Sequence, residues 1–146
     1  MTTHWLLRVG DGNNLYNSVG HGIWGIQSTT TFGKNFIKEV KNGDKLWFIK
    51  SQSNGKILGV ATYKYHNKRN YDIGLTNEEL GWIGSGPDWT SDLEVHFKEW
   101  FDLDEQQLLT HIKGSSTIRK YNYKCSLDLE ELYEIIYNNA KPLLSL

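Results

Sequence analysis

Only one cysteine, Cys125, occurs in this chain of 146 residues. A lone thiol excludes an internal disulfide and a cysteine-rich metal site, and it suits a reducing compartment. The five histidines, His4, His21, His66, His96 and His111, do not fall at metal-ligand spacing such as H-x-x-x-H, so neither metal nor cofactor is expected. Gly10-Asp11-Gly12 and Gly84-Ser85-Gly86 lack the lysine and the long following helix of a phosphate loop. No apolar run approaches a membrane span, and no charged-then-apolar leader follows Met1. The expectation is a soluble protein of cytoplasm or nucleus with no membrane partner. An excess of one charge is missing too. With a formal net charge of −1, any anionic partner has to be met by a local patch.

What the chain does have is aromatic surface. Aromatic residues make up 13% of it, with six tryptophans, more than core filling needs at this size and a pointer to stacking. The length suits one domain, spanning 1–146, with a single core. His4–Val9 reads as a strand ended by Gly10-Asp11-Gly12, and Asn13–Ser18 as a helical turn or loop. Gly20-His21-Gly22 then delivers Trp24 in a Gly-Ile-Trp-Gly setting that gives the indole little local cover. Phe32, Phe36, Ile37 and Val40 form one face of a helix, stopped by Asn42-Gly43-Asp44. Lys45–Ser51 and Lys56–Tyr65 are strands joined by a Gln52–Gly55 hairpin loop. His66–Tyr71 reads as a polar basic loop. Thr76-Asn77-Glu78-Glu79 has capping-box form, and Trp82 to Trp89 reads as loop or short strand.

Leu93–Phe101 alternates, with Leu93, Val95, Phe97 and Phe101 on one face and Glu94, His96 and Lys98 on the other. Trp100 falls in phase with the polar set, so it should point to the polar side unless a bulge resets the register. Glu99, in core phase, hints at such a bulge. Asp104 is placed to cap a short helix through Leu108, Leu109 and Ile112. Ser116–Lys124 reads as a strand, and Asp128 with Glu131 opens a final helix that ends before Pro142. Charge is zoned along the chain. Lys64–Tyr71 and Arg119–Lys124 are basic and mixed with aromatics and asparagines, whereas Asp102–Glu105 and Asp128–Glu134 are acidic. A neutral total thus leaves room for a basic face suited to phosphate.

Gly22–Ser28, the helix after it, the run Gly43–Ser51 and the strand Asn54–Ala61 together resemble the PUA-like superfamily, in its EVE and YTH branches. Phe97-Lys98-Glu99-Trp100-Phe101 is similar to the strand that supplies a second cage tryptophan in YTH domains. The resemblance covers most of Trp5–Asn122. It implies an α+β fold, a small mixed β-barrel with helices packed outside, and an aromatic pocket that receives a modified base. On that resemblance Trp24 and Trp100 are the cage walls, Gln27 and Ser28 meet the base edge, and Asn14 lies near an asparagine of YTH domains. Arg8, Lys50, Lys68, Arg69, Arg119 and Lys120 are the candidates for phosphate. The partner implied is RNA or DNA carrying a modified base, RNA before DNA, bound by a monomer without catalysis. The Arg-Asn motif that EVE proteins carry after the first tryptophan is absent, Gln27-Ser28-Thr29 standing there instead.

Elementary chemistry supports such a pocket. Two facing indoles sandwich a planar base, and a methyl group on the base adds about 0.8 kcal/mol of burial. Further discrimination comes from polar groups that a wrong base leaves unpaired. Two other classes stay open at this level. Glu94, His96 and Lys98 on one strand face suit acid–base cleavage of RNA, which the ASCH group of PUA-like proteins brings to mind. An aromatic cleft also suits a peptide or nucleotide ligand.

Overall fold

The computed structural model describes residues 2–9, 14–50, 56–69, 79, 92–107, 118–121 and 128–139, with only the backbone described at 14 and 104–107. Among these residues the order is β1 (His4–Val9), α1 (Asn14–Val19), β2 (Ile23–Ile26), α2 (Thr31–Glu39), β3 (Lys45–Lys50), β4 (Lys56–Lys68), β5 (Leu93–Gln107), β6 (Ile118–Lys120) and α3 (Leu129–Asn139). The strands form one mixed sheet of order β2-β5-β4-β3-β1-β6. Only β1 and β3 pair in parallel, and each other neighbouring pair is antiparallel. No helix among the described residues is long and apolar enough to cross a membrane.

The central strands are apolar at successive positions because both sheet faces are covered, the pattern expected of a strand with no solvent side. In β1, Trp5, Leu7 and Val9 join one core with Leu15 of α1 and Phe36 of α2. Leu6 points the other way, into a second core with Trp47, Ile49 and the α3 residues Leu129, Tyr133 and Ile136. The sheet curls around the first core. Trp24 on β2 and Phe48 on β3 are three positions apart in the strand order, about 14 Å on a flat sheet, yet their rings meet edge-on at 6.1 Å.

Two polar ties set the helices. The Asp44 carboxylate, 2% exposed, accepts from Thr3 N, Lys41 N and the Trp5 indole, which locks the end of α2 to β1. His4 Nδ1 accepts from Trp47 Nε1 at 2.9 Å, so its Nε2 carries the proton and donates to Glu130 at 2.7 Å, holding α3 on the sheet. Helix α2 starts where Thr30 Oγ1 accepts from Gly33 N. It buries Phe36 but leaves Phe32 and Ile37 at its surface, narrower than the apolar face its spacing suggests.

β4 runs through His66 to Lys68, a stretch read from sequence as loop, and β5 continues to Gln107, so Asp104 lies in a strand and does not cap a helix. Of the expected Ser116–Lys124 strand, Ile118–Lys120 forms β6, and 116, 117 and 122–124 lie outside the described residues. The 52–55 turn, the Thr76–Glu78 part of the capping box, the Trp82–Trp89 segment, Cys125 and Pro142 lie outside the described residues.

The sharpest feature of the sheet is in β5. Thr62 pairs Lys98 and Val60 pairs Phe101, so Glu99 and Trp100 together oppose the single residue Ala61. This is a β-bulge, and Glu99 takes φ 55° to make it. A left-handed conformation costs an L-residue about 1–2 kcal/mol, and the Glu99 carboxylate recovers little of that from Thr62 Oγ1 at 3.4 Å. Glu99→Gly is therefore expected to raise stability by about 1 kcal/mol in urea unfolding, and Glu99→Val to lower it. A loss of stability on Glu99→Gly would show that the side chain holds the bulge.

Candidate nucleic-acid interface

β2 is a strand of four residues that, among the described residues, lies at the sheet edge and pairs only with β5. It begins after a tight turn in which Gly22 takes φ 67° and its N–H returns to Ser18 O at 2.9 Å. A side chain at residue 22 would strain that turn. Pairing of Trp24 with Val95 and Ile26 with Leu93 sets both residues on the inner face. Gly25, in the opposite phase, pairs Glu94.

The inner face brings the two expected cage residues to one place but does not open them. Trp24 and Trp100 both pack on Phe48, with ring centroids at 6.1 and 5.2 Å, so Phe48 sits where a base would have to enter between them. Trp24 is 7% exposed and Trp100 is wholly buried. The bulge at Glu99 shifts Trp100 by one residue in phase, so it joins Phe97 inside while Phe101 turns to the α3 side. The Trp100 indole N–H donates to Asp102 Oδ1 at 2.6 Å. Trp100 is thus a core residue, and the cage reading of it is corrected.

Beside Trp24 the chain is clasped. Ser28 N donates to Asp92 Oδ1 at 2.8 Å and Ser28 Oγ donates to Asp92 Oδ2. The Asp92 carbonyl accepts from Arg69 N at 2.8 Å. One residue thereby ties the end of β2, the end of β4 and the start of β5. Ser28, expected at a base edge, has its donor committed to Asp92 and offers a ligand only acceptor lone pairs. Gln27 is half-buried, and its carbonyl lies against Thr30 Oγ1 and Gly33, where an added Cβ would overlap it. Asn14 opens α1. Sequence reasoning missed Asp92. Nothing local distinguishes it, and only the Ile26–Leu93 pairing brings it to Ser28.

Burial pushes the Asp92 carboxyl upward, but the hydrogen bonds from Ser28 and from its own backbone, with the Lys68 charge, outweigh this and leave its pKa below the ordinary 3.8. A carboxylate with a depressed folded pKa contributes stability that is present above its unfolded pKa and lost as pH falls through the folded one. The urea midpoints of the parent and Asp92→Asn are therefore expected to differ by a constant amount above about pH 5 and to converge below the ordinary carboxylate range. A difference unchanged to pH 2 would mean that the charge at Asp92 contributes nothing.

The basic candidates do not gather on one face. Lys68 is exposed at the β4 end next to Asp92. Arg69 follows it but is buried, 8% exposed, and is corrected as a surface phosphate ligand. Arg8 and Lys50, both half-buried, sit where β1 and β3 end together, at the other end of β4. Arg119 and Lys120 belong to β6, the far end of the strand order from β2, and Lys120 pairs with Glu39 of α2 at 3.3 Å. Neighbours in sequence are here separated by the sheet.

On the outer face of β5, Glu94, His96 and Lys98 share a side as their alternation indicates. Glu94 is 6% exposed and accepts from Asn67 Nδ2 at 3.1 Å. His96 Nε2 donates to Asn67 Oδ1 at 2.6 Å and lies 3.7 Å from Glu94 Oε1. Burial lowers the His96 pKa against the opposing pull of Glu94, and Lys64 adds to the lowering. No group of three or more His, Cys, Asp or Glu suited to a metal occurs among the described residues.

No protein-family model and no curated protein matches this chain. Among solved structures it is similar to the YTH domain of the Zygosaccharomyces rouxii MRB1 protein in complex with N6-methyladenosine RNA. That match has 11% identity over 97% of this chain and 90% of that one, with a TM-score of 0.56. It is also similar to the Pho92 YTH domain in complex with m6A, at 14% identity over 95% of this chain and 85% of that one, with a TM-score of 0.58. The similarity is one of fold: the curled mixed sheet is YTH-like.

Proposed function

We propose that this chain is a single-domain module, PUA-like in the wider sense, that binds single-stranded RNA and reads a methylated base without catalysis of its own. The observation that carries this reading is the placement of Trp24. The residue lies on the edge strand of a YTH-like sheet, and the Ser28–Asp92 clasp that follows that strand has the exposed Lys68 next to it. The two YTH domains described above hold N6-methyladenosine, alone or in RNA. The base proposed here is accordingly a methylated adenine. RNA is favoured because a base already out of a duplex avoids an unstacking cost of a few kcal/mol.

The test is a tryptophan-fluorescence titration of short RNA and DNA oligonucleotides, with and without one N6-methyladenosine. Tighter binding of the methylated RNA is expected, and equal affinity for all four probes would overturn the reading. Lys68→Ala should weaken all RNAs about equally and lower the slope of log affinity against log salt by about 0.7. Lys120→Ala, already paired with Glu39, should leave that slope unchanged. RNA cleavage lost on His96→Ala would favour the acid–base reading of β5 instead.

A further inference from the structure

The outer face of β4 and β5 carries a ring pair that the base pocket does not use. A register shift between Tyr63 and Tyr65 makes Lys64 the extra residue and brings Tyr65 opposite His96. The two rings stack at 4.2 Å between centroids, 14° from parallel. His96 is held from below, its Nε2 on Asn67 and Asn67 in turn on the buried Glu94. Its pKa is lowered chiefly by burial, so it stays a neutral, flat tier at pH 7. Tyr65, by contrast, is 49% exposed. Helix α3 covers the part of this face built from Leu6, Trp47, Ile49, Ile57, Val60 and Phe101, none of which adjoins Tyr65 in the strand register.

We infer that this tier is a second nucleic-acid contact, at which a base of the same single strand stacks on Tyr65. The inference rests on the reading of the chain as an RNA-binding module. A rigid half-exposed ring offers every base a stacking surface without sequence preference. The charge around it suits a phosphate backbone. Lys64 is exposed, with its ammonium 5.8 Å from the Tyr65 centroid, and Lys98 lies in the same outward row as His96. The acid of this cluster, Glu94, is buried within that face and accepts from Asn67. A cross-strand ring pair also stabilises strand pairing, but pairing alone does not call for an exposed outer ring flanked by lysines. Trp24 faces the opposite side of the sheet, and among the described residues only the edge strand β2 lies beyond β5. A strand must therefore pass around β2 to engage both, so the contribution of Tyr65 depends on RNA length.

The test compares a methylated RNA of about nine nucleotides with the free N6-methyladenosine nucleoside, using the full chain. Tyr65→Ala is expected to weaken the longer RNA roughly 5- to 150-fold, the span of one stacked base, and to leave the nucleoside unaffected. Tyr65→Phe should restore the longer RNA, and His96→Ala should weaken it in part. Unchanged affinity of Tyr65→Ala for the longer RNA overturns the inference, as does an equal loss for the nucleoside, which would mark a general loss of fold. If methylated and unmethylated RNAs bind alike but both depend on Tyr65, the tier stands and the methyl-reading proposal falls.

Discussion

Trp100→Ala is expected to destabilise the fold by about 3–5 kcal/mol, the cost of emptying a tryptophan site in a closed core. This is a large share of the 5–15 kcal/mol that holds an ordinary domain together. The indole is wholly buried, with Phe48 and Phe97 at 5.2 and 6.0 Å and its N–H on Asp102. Gly59 forms the wall on β4, where an added Cβ would overlap the indole and press on the Phe101 carbonyl. The same contact thus has a second probe. Gly59→Ala should cost about 1–3 kcal/mol by overpacking, and Trp100→Leu should lessen that penalty by making room. Urea midpoints with unchanged m-values would measure all three variants. If Trp100→Ala unfolded at the parent midpoint and lost only RNA binding, the indole would be a pocket wall after all.

Replacing Trp24 should act on binding first. Trp24→Leu keeps an apolar group against Phe48 while removing the flat π-face that stacks a base. Stacking on one indole is worth about 1–3 kcal/mol, and a methyl seated against it about 0.8 kcal/mol more. A fall of roughly 20- to 600-fold in affinity for methylated RNA is expected, with selectivity over the unmethylated probe lost. Trp24 is itself 7% exposed, so Trp24→Ala would add a core penalty, and the leucine variant is the cleaner measurement. Undiminished selectivity in Trp24→Leu would remove the residue from the site. A second flat wall, if the pocket has one, does not come from Trp5, Trp47 or Trp100, all wholly buried. Trp82 and Trp89 are the remaining tryptophans, outside the described residues, and their alanine variants belong in the same titration.

The legibility of the molecule varied with the range of the interactions involved. The apolar runs of His4–Val9 and Lys45–Ser51, the helix carrying Phe32, Phe36, Ile37 and Val40, and the hairpin pairing of the next two strands were read from neighbours a few residues apart. His66–Lys68 read as loop because its side chains are polar, yet its pairing with Leu93–Val95 of β5 continues the strand. Of the phosphate candidates, Lys68, Arg69, Arg119 and Lys120 came from two segments that are basic in sequence. Strand order then placed Lys68 and Lys120 on strands at different positions in the sheet and buried Arg69.

The mixed sheet was implied only by the family resemblance, whereas the amino acids alone determined short strands, helices, a surplus of indoles and Trp24 delivered by glycines ahead of a helix. Those features are local, governed by the two-residue period of a strand, the capping of a helix and the freedom of glycine. Tertiary structure alone decided which indoles close and which polar groups meet. A bulge changes side-chain phase by one residue, and it forms only where a partner strand is one residue short, as Ala61 is against Glu99 and Trp100. The same long-range pairing sets Asp92 on Ser28 and His96 on Tyr65, across gaps of 64 and 31 residues.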